Sequence, residues 1–296
     1  AYRPDDFDVT LTCSFPFTQW TLRAKGSRAR RPAHVFVTQN GDWAPRQLNS
    51  EYRSFSCDGL VCTNPEYSER HTNRWPLALI PNGCDLETFR PGPSSRTAFG
   101  LPRRGRIALV VGALTPNKRV LEAVEFLAAD PMLGLAVAGE GPLEEALLAL
   151  GRARMPGRFH HLKVQKERMA DLYRSVDVLL HMSLTEPFGN IYVEALATGL
   201  PIVADDNPRT RWIVEDQATL VDAEDPKAVL SAVRSSIAED SASARKARRA
   251  LAGTRFSWPT VAAQYRAFLR RTAAADVKSA PLEGNTTTLS PPTVQP

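Results

Sequence analysis

Short apolar runs alternate with segments of helical period through the last two-thirds of the chain, and this alternation constrains the fold more than any other feature. The apolar runs cover residues 107–111, 135–138, 159–164, 178–181, 201–204 and 219–221. The helical segments begin near residue 118 and continue at 143–150, 167–174, 191–198 and 228–238. Strands that alternate with helices pair in parallel, carry helices on both faces and bind ligands at their carboxyl ends. The chain is therefore predicted to be α/β, with its informative residues just after each strand.

The N-terminal part carries a shorter version of the same pattern, with strands predicted at residues 7–12, 34–38 and 59–63. The segment IPNGCDLETFRPGP, residues 80–93, is dense in turn-forming residues, as an interdomain hinge is. We predict a first domain at 1–80, a hinge at 81–93 and a second domain at 94–272. The polar remainder, 273–296, is rich in proline and threonine and is predicted to be disordered.

The composition argues against a membrane-spanning protein and against a nucleic-acid-binding protein. The chain has 296 residues, and no apolar run approaches the ~20 residues that cross a bilayer. The net charge is only +5, and the basic runs at 23–31 and 245–249 lack the interleaved aromatic residues of a nucleic-acid surface. Two interpretations stay open for these runs: solvated faces, or attraction to an anionic acceptor or the cytoplasmic face of a membrane. Four cysteines without C-x-x-C spacing favour free thiols and a cytoplasmic location.

The stretch TEPFGNIYVEALATGLPIVA, residues 185–204, holds the glutamates Glu186 and Glu194. Pro187 cannot lie inside a helix, so Glu186 is predicted in a loop and Glu194 in the first turns of the next helix. The amides of residues 188–190 are expected to point into the same space. Carboxylates and free amides can bind the hydroxyls of a sugar and a ribose. The local pattern equally fits a loop charge and a helix-dipole partner, so both interpretations stay open.

A second candidate is the loop after the run at 107–111. Gly112 permits a tight turn there, and Lys118 and Arg119 follow near the start of a helix. Two cations with free N–H groups at a helix N-terminus suit a diphosphate. The alternative is that both side chains are exposed residues of a first helical turn. Glycines at 139 and 141 indicate either a tight turn or a close approach of the backbone to a ligand.

Several motifs follow one another in a familiar order. They are I-P-N-G-C-D-x-x-x-F-x-P, V-G-A-L-T-P-N-K, G-E-G-P-L, D-L-Y-R-S-V-D-V-L-L and E-P-F-G-N-I-Y-V-E-A-L. Together they resemble the hinge, loops and E-x7-E signature of the retaining glycosyltransferases of family 4, over residues 5–272. The resemblance implies the GT-B fold, with two Rossmann-like doubly wound parallel-sheet domains, the first of them incomplete. It also implies that the last helix, 257–271, crosses back to the first domain.

The resemblance further implies a reaction, in which a sugar moves from a UDP- or GDP-linked donor to a glycan or lipid-linked acceptor with retention and without a metal or other cofactor. Lys118 would neutralise the donor pyrophosphate, Glu194 would bind the ribose and Glu186 the transferred sugar. The residues implied in catalysis are Glu186, Lys118 and Asn40. Those implied in donor binding are Gly112, Lys118, Arg119, Lys163, Val164, Glu186, Phe188, Gly189, Asn190, Ile191 and Glu194.

This sequence departs from the family's pattern at several places. Ala113 stands where arginine is usual, a contact that Arg119 can replace, and Trp212 stands where glutamate is usual. Asn40 stands where histidine is usual, and an amide suits positioning better than proton transfer. The first domain lacks the usual glycine-rich loop and much of the usual length, so we expect a fragment. Ala113 and Asn40 support an alternative, a module that binds a nucleotide-sugar without turnover.

Other candidates are weaker. Asp6 with Asp8, and Asp205 with Asp206, have the acidic character of a metal site but occupy strand ends, where polar residues are ordinary. His181 lies inside an apolar run and is predicted to be a core residue rather than a catalyst. No G-x-S-x-G elbow supports hydrolase chemistry.

Overall fold

The structure is a computed structural model that describes residue 3 and residues 6–13, 31–39 and 55–279, the last five of them by backbone only. A first group of strands comprises β1 (Val9–Cys13), β2 (Ala33–Val37), β3 (Gly59–Cys62) and β4 (Leu77–Leu79). A second group comprises β5 (Arg106–Val111), β6 (Leu133–Ala138), β7 (Phe159–Leu162), β8 (Val178–His181), β9 (Ile202–Asp205) and β10 (Thr219–Val221). They form two parallel sheets, in the orders β1-β2-β3-β4 and β10-β9-β8-β5-β6-β7.

The described helices lie between and after these strands. They are α1 (Pro65–His71), α2 (Val120–Ala128), α3 (Glu144–Arg154), α4 (Met169–Tyr173), α5 (Asn190–Thr198), α6 (Pro208–Val214), α7 (Pro226–Ala238), α8 (Ala242–Phe256) and α9 (Trp258–Ser279). None of them is both long and apolar enough to span a membrane. The helix α9 continues past residue 271, where it was predicted to end, into the segment predicted to be disordered. Residues 280–296 lie outside the described part of the chain.

Alternate residues of β5 pack into two separate hydrophobic cores, one on each face of the second sheet. Ile107 and Leu109 pack on the face covered by α5 and α8, whereas Ala108 and Val110 pack on the face covered by α2 and α7. Successive side chains of a strand point to opposite faces, so a sheet covered on both faces needs apolar residues at every position. This explains why the strands of this sheet read as continuous apolar runs.

The strand order of the second sheet reverses between β5 and β8. The strands β6 and β7 lie on one side of β5, and β8, β9 and β10 lie on the other. Loops that follow the two strands at such a reversal diverge and leave a crevice at the carboxyl edge of the sheet. Gly112 and Lys118 follow β5, and Glu186 follows β8, so the sheet brings these predicted residues to one crevice.

The last helix packs on the first sheet. Val261 and Phe268 of α9 contact Val35 and Val37 of β2, while Phe36 of the same strand packs on the opposite face. The chain therefore crosses between the sheets twice, once in the linker at 80–93 and once where α8 meets α9. The two crossings lie side by side, because the Cys84 amide donates to the Phe256 carbonyl at 2.7 Å.

The basic run at 245–249 is only partly a solvated face, because Arg245 and Lys246 are exposed whereas its other two arginines are engaged with the protein. Arg248 is buried, donates to the Gly199 carbonyl at 2.9 Å and forms an ion pair with Asp240. Arg249 donates to the carbonyls of Ala197 at 2.9 Å and Leu86 at 2.7 Å. Arginines of α8 thus donate hydrogen bonds to carbonyls at the C-terminal end of α5, where a helix leaves its last carbonyls unpaired. They also donate to a carbonyl of the linker.

Candidate active site

Lys118 and Glu186 form an ion pair at the crevice between β5 and β8. Their side chains are 17% and 10% exposed, so removing either partner would leave a largely buried charge. Lys118 ends a 3-10 turn, Pro116–Lys118, and Arg119 has a left-handed backbone before α2 begins at Val120. The prediction that the helix starts at Lys118 was therefore wrong, because this turn comes first.

His181, the last residue of β8, completes the cluster around Glu186. Its Nε2 lies 3.0 Å from Glu186 Oε1, and its ring packs edge-to-face on Tyr192 with centroids 5.1 Å apart. Because an ionised carboxylate only accepts hydrogen bonds, Nε2 carries the proton. Burial is the main cause that lowers the pKa of His181, so the imidazole is a neutral donor at neutral pH. His181 is buried, as predicted, but its contact with Glu186 was not foreseen.

The environment of Glu186 keeps its carboxyl group ionised. Burial alone would raise the pKa of Glu186, but the hydrogen bonds from His181 and Lys118, together with the positive charge of Lys118, outweigh it and lower the pKa to about 2. The carboxylate can therefore accept hydrogen bonds from hydroxyl groups at neutral pH, whereas it holds no proton to donate to a leaving group.

Gly189 shapes the end of the loop that carries Glu186. It is the N-cap residue of α5, with a left-handed φ of +97°, and an added Cβ would lie 2.7 Å from the Tyr192 ring. Both the backbone conformation and the lack of space require glycine. No side chain caps this helix, so its first amides are free to bind an anion.

The side chain of Phe188 lies in the core, away from the crevice. It is buried and packs edge-to-face on Trp212 and Phe256, with centroids 6.2 Å and 6.3 Å away. Ile191 packs partly against the same core. These two side chains therefore pack in the core, and the ligand-facing role of the amides at 188–190 stays a prediction.

Glu194 has partners separate from those of Glu186. Its Oε2 accepts a hydrogen bond of 2.8 Å from the Tyr173 hydroxyl of α4. Burial raises the pKa of Glu194, and the same carboxylate adds to the burial that raises the pKa of Cys84 to about 12. The Tyr173 hydroxyl thus fixes one carboxylate oxygen of Glu194, Oε2.

Three other residues predicted to bind the donor lie farther along the carboxyl edge. Arg119 donates to Glu224 at 3.2 Å, and Lys163 forms ion pairs with Glu144 at 2.9 Å and Glu140 at 3.5 Å. Val164 is half-buried against the core. The acidic partners of the two cations come from segments distant in the sequence, so they were not predicted.

The glycine pair at 139 and 141 has a packing role. A Cβ on Gly139 would lie 1.9 Å from the Gly112 carbonyl oxygen, so the loops after β5 and β6 can touch only if residue 139 is glycine. Gly112 itself lies beside the aliphatic part of Lys118. The close approach of backbone at Gly139 is therefore to a neighbouring loop, and the predicted approach to a ligand stays a prediction.

Residues of the first sheet and the linker reach the site. Asn64, which follows β3 and caps α1, donates to the Pro187 carbonyl at 2.7 Å. Asn82 of the linker donates to the Asn190 side chain at 2.9 Å. The first sheet and the linker thus both contact the segment that runs from the loop after β8 into α5. Asn40, the third residue implied in catalysis, lies outside the described residues.

Within the described ranges, no group of three or more His, Cys, Asp or Glu side chains is placed to hold a metal ion. Asp205 instead accepts hydrogen bonds from Asn207 at 2.9 Å and from the Ala223 amide at 3.3 Å, and Asp206 pairs with Arg211.

Sequence comparison relates more than half of this chain to glycosyltransferases. The family described as glycosyl transferases group 1 matches residues 93–252. D-inositol 3-phosphate glycosyltransferase of Xylanimonas cellulosilytica is 31% identical over 244 residues, covering 74% of this chain and 58% of the relative. Its counterpart in Rhodococcus opacus is 31% identical over 181 residues, covering 54% and 41%. The chain therefore spans about half the length of these relatives.

Solved structures share the fold. Sucrose-phosphate synthase of Thermosynechococcus elongatus superimposes with a TM-score of 0.76 at 22% identity, covering 91% of this chain and 75% of the other. HepE of Anabaena, solved with UDP and glucose, has a TM-score of 0.73 at 17% identity, covering 90% and 78%. Together with the two parallel sheets, these neighbours confirm the predicted GT-B fold. The chain belongs to the group 1 glycosyl transferases.

Proposed function

We propose that this chain binds a nucleoside-diphosphate sugar at the carboxyl edge of its second sheet and transfers the sugar, with retention and without a metal, to a hydroxyl of a glycan or lipid-linked acceptor. The observation that carries the proposal is the Lys118–Glu186 pair beside the uncapped N-terminus of α5. A cation and free amides suit a diphosphate, while an ionised carboxylate suits sugar hydroxyls. The Anabaena neighbour was solved with UDP and with UDP-glucose, which supports this donor class.

The two charges would change partners when the donor binds. Lys118 would leave Glu186 for the diphosphate, where it stabilises the negative charge that develops as the bond from the sugar C1 to the diphosphate oxygen breaks. Glu186 would then accept hydrogen bonds from the sugar. The acceptor oxygen forms the new bond to C1, and its proton passes to the departing diphosphate. Glu194 would bind the ribose through Oε1 while Tyr173 holds Oε2.

A second candidate is a module that binds the donor without turnover. Ala113, exposed in the loop after β5, supplies no cation to the diphosphate at a place where one is usual. The two candidates share the donor site and differ only in transfer, so binding and turnover have to be measured separately.

Calorimetry with UDP-, GDP- and ADP-sugars tests the shared part. We expect one class to bind, and Lys118→Met to weaken its affinity by about tenfold or more, since a charge-assisted hydrogen bond contributes about 1.5–3 kcal/mol. Lys227→Met is the matched control, because Lys227 is exposed on α7. Failure of all three classes to bind, or equal losses in both variants, would overturn the donor site.

Release of the nucleoside diphosphate, measured with and without EDTA, then separates transferase from binding module. Equal rates under both conditions support metal-independent transfer, and NMR of the anomeric proton of the product reports retention or inversion. Tight donor binding without release, across a panel of glycan and lipid-linked acceptors, favours the non-catalytic module.

A further inference from the structure

Arg209 is a buried arginine beneath the loop that carries Glu186. It follows β9 as the second residue of α6 and is 3% exposed. Its Nη1 donates to the Glu186 carbonyl at 2.9 Å, but Nε and Nη2 have no hydrogen-bond partner among the described residues. Asp205, at the end of the same strand, is engaged with Asn207 and Ala223 instead.

The charge of Arg209 therefore lacks a carboxylate of its own. In the cluster formed by Lys118, His181, Glu186 and Arg209, two positive charges face one negative charge, since His181 is neutral. Burial is the largest cause of the lowered pKa of His181, and the charges of Lys118 and Arg209 add to it, so both cations act on the same cluster. An uncompensated charge in the protein interior is weakly screened, and its field extends farther than that of a surface arginine.

We propose that Arg209 is a positioning residue of the donor site, which holds the Glu186 loop through its main-chain carbonyl and supplies the excess positive charge that selects a diphosphate. The inference rests on the proposed function and adds a residue that lies outside the loop after β5. The guanidinium acts without touching the ligand, because its free N–H groups are buried beneath the loop. Its charge is balanced when the negative diphosphate enters the crevice.

The test compares a charged ligand with its neutral counterpart. Affinities are measured for whichever of UDP, GDP or ADP binds the wild-type chain, for the matching nucleoside, and for inorganic pyrophosphate. In Arg209→Met we expect the diphosphate affinity to fall about tenfold and the nucleoside affinity to stay within twofold. Arg209→Lys keeps the charge and should retain most of the diphosphate affinity.

Arg248→Met is the matched control. Arg248 is also buried in the same half of the molecule, but it is paired with Asp240 and contacts the end of α5, away from the carboxyl edge. Its loss should lower the melting temperature and leave the ratio of diphosphate to nucleoside affinity unchanged. If Arg209→Met behaves like this control, or if Arg209→Lys falls as far as Arg209→Met, the role assigned to the charge is wrong.

Results that contradict the proposed function differ from those that contradict the role of Arg209. A wild-type chain that binds pyrophosphate but no nucleoside diphosphate contradicts the donor site, while the pyrophosphate affinities of the Arg209 variants still test the charge. A wild-type chain that binds neither ligand overturns both proposals. Thermal unfolding of each variant shows whether a loss of affinity follows from a loss of folding.

Discussion

Lys118 and Glu186 are 68 residues apart in the chain, yet they pair where the strand order of the second sheet reverses. Each charge is satisfied by the other in the absence of a ligand. Binding at this crevice therefore exchanges one set of polar contacts for another, and the net affinity is the difference between them.

Glu186→Gln should make stability less sensitive to acid. The pKa of about 2 in the folded chain lies below the ordinary 4.5, so the carboxylate stabilises the fold above pH 4.5, and this stabilisation is lost as the pH falls towards 2. A shift of this size corresponds to about 3 kcal/mol as an upper bound. Urea unfolding at pH 7 and pH 3 should show a smaller difference for the variant than for the wild type. Exposed Glu239 provides the control, Glu239→Gln, which should keep the wild-type difference.

Glu194→Gln should weaken donor binding by about tenfold to a hundredfold, because a hydrogen bond to a charged group contributes about 1.5–3 kcal/mol. The raised pKa of Glu194 adds a pH dependence: in the wild type, affinity should decline on acidification at a pH above the ordinary 4.5, as the carboxylate takes up a proton. Calorimetry across pH measures both effects. Unchanged affinity, or the same decline in Glu194→Gln, would remove this residue from the ribose site.

Gly189→Ala should cost more stability than Gly157→Ala. Both glycines have a left-handed backbone, with φ of +97° and +72°, but an added Cβ has nothing within 4 Å at residue 157 and meets the Tyr192 ring at residue 189. The shared backbone strain is about 1–2 kcal/mol, so any excess measures the clash. Urea midpoints give the stabilities, and donor affinity should fall only in Gly189→Ala. Similar losses in both variants would mean that the ring moves aside freely.

Asn64→Asp should loosen the loop after β8 without uncapping α1. Aspartate keeps the oxygen that accepts from the Tyr67 amide but lacks the N–H that donates to the Pro187 carbonyl. Hydrogen exchange of the amides at 186–190 should become faster, and exchange within α1 should stay unchanged. Slow exchange at 186–190 in the variant would show that the contact from the first sheet does not order this loop.

The strands and the loop position of Glu186 were predictable because their causes are local. A parallel strand buried on both faces is an apolar run, and Val178–His181 was delimited without error for that reason. Pro187 excludes Glu186 from the helix whatever the surrounding fold. By contrast, β4 has only three residues, and this short run between Pro76 and Pro81 was not recognised as a strand.

The contacts that define the site were not predictable, since each joins segments distant in sequence. Tyr173 reaches Glu194 from another helix, and Arg209 reaches the Glu186 carbonyl from beyond the next strand. A tyrosine in a helix and an arginine in a first helical turn are both common, so neither Tyr173 nor Arg209 stood out in the sequence. The pairing of Arg119 with Glu224 also depends on how two loops meet at the edge of the sheet. Such partners can be identified only from the three-dimensional arrangement of the strands and loops.

The two chain crossings between the sheets have a mechanical consequence. The Cys84 amide donates a hydrogen bond to the Phe256 carbonyl, so the two chain segments that connect the sheets lie side by side. Together they form a single hinge line. Any separation of the halves is then a rotation about that line, and the points farthest from it move most. Asn64 donates to the Pro187 carbonyl across the two halves, and α1 also lies against α6 there, so a rotation that parts the halves has to break this hydrogen bond and separate these two helices.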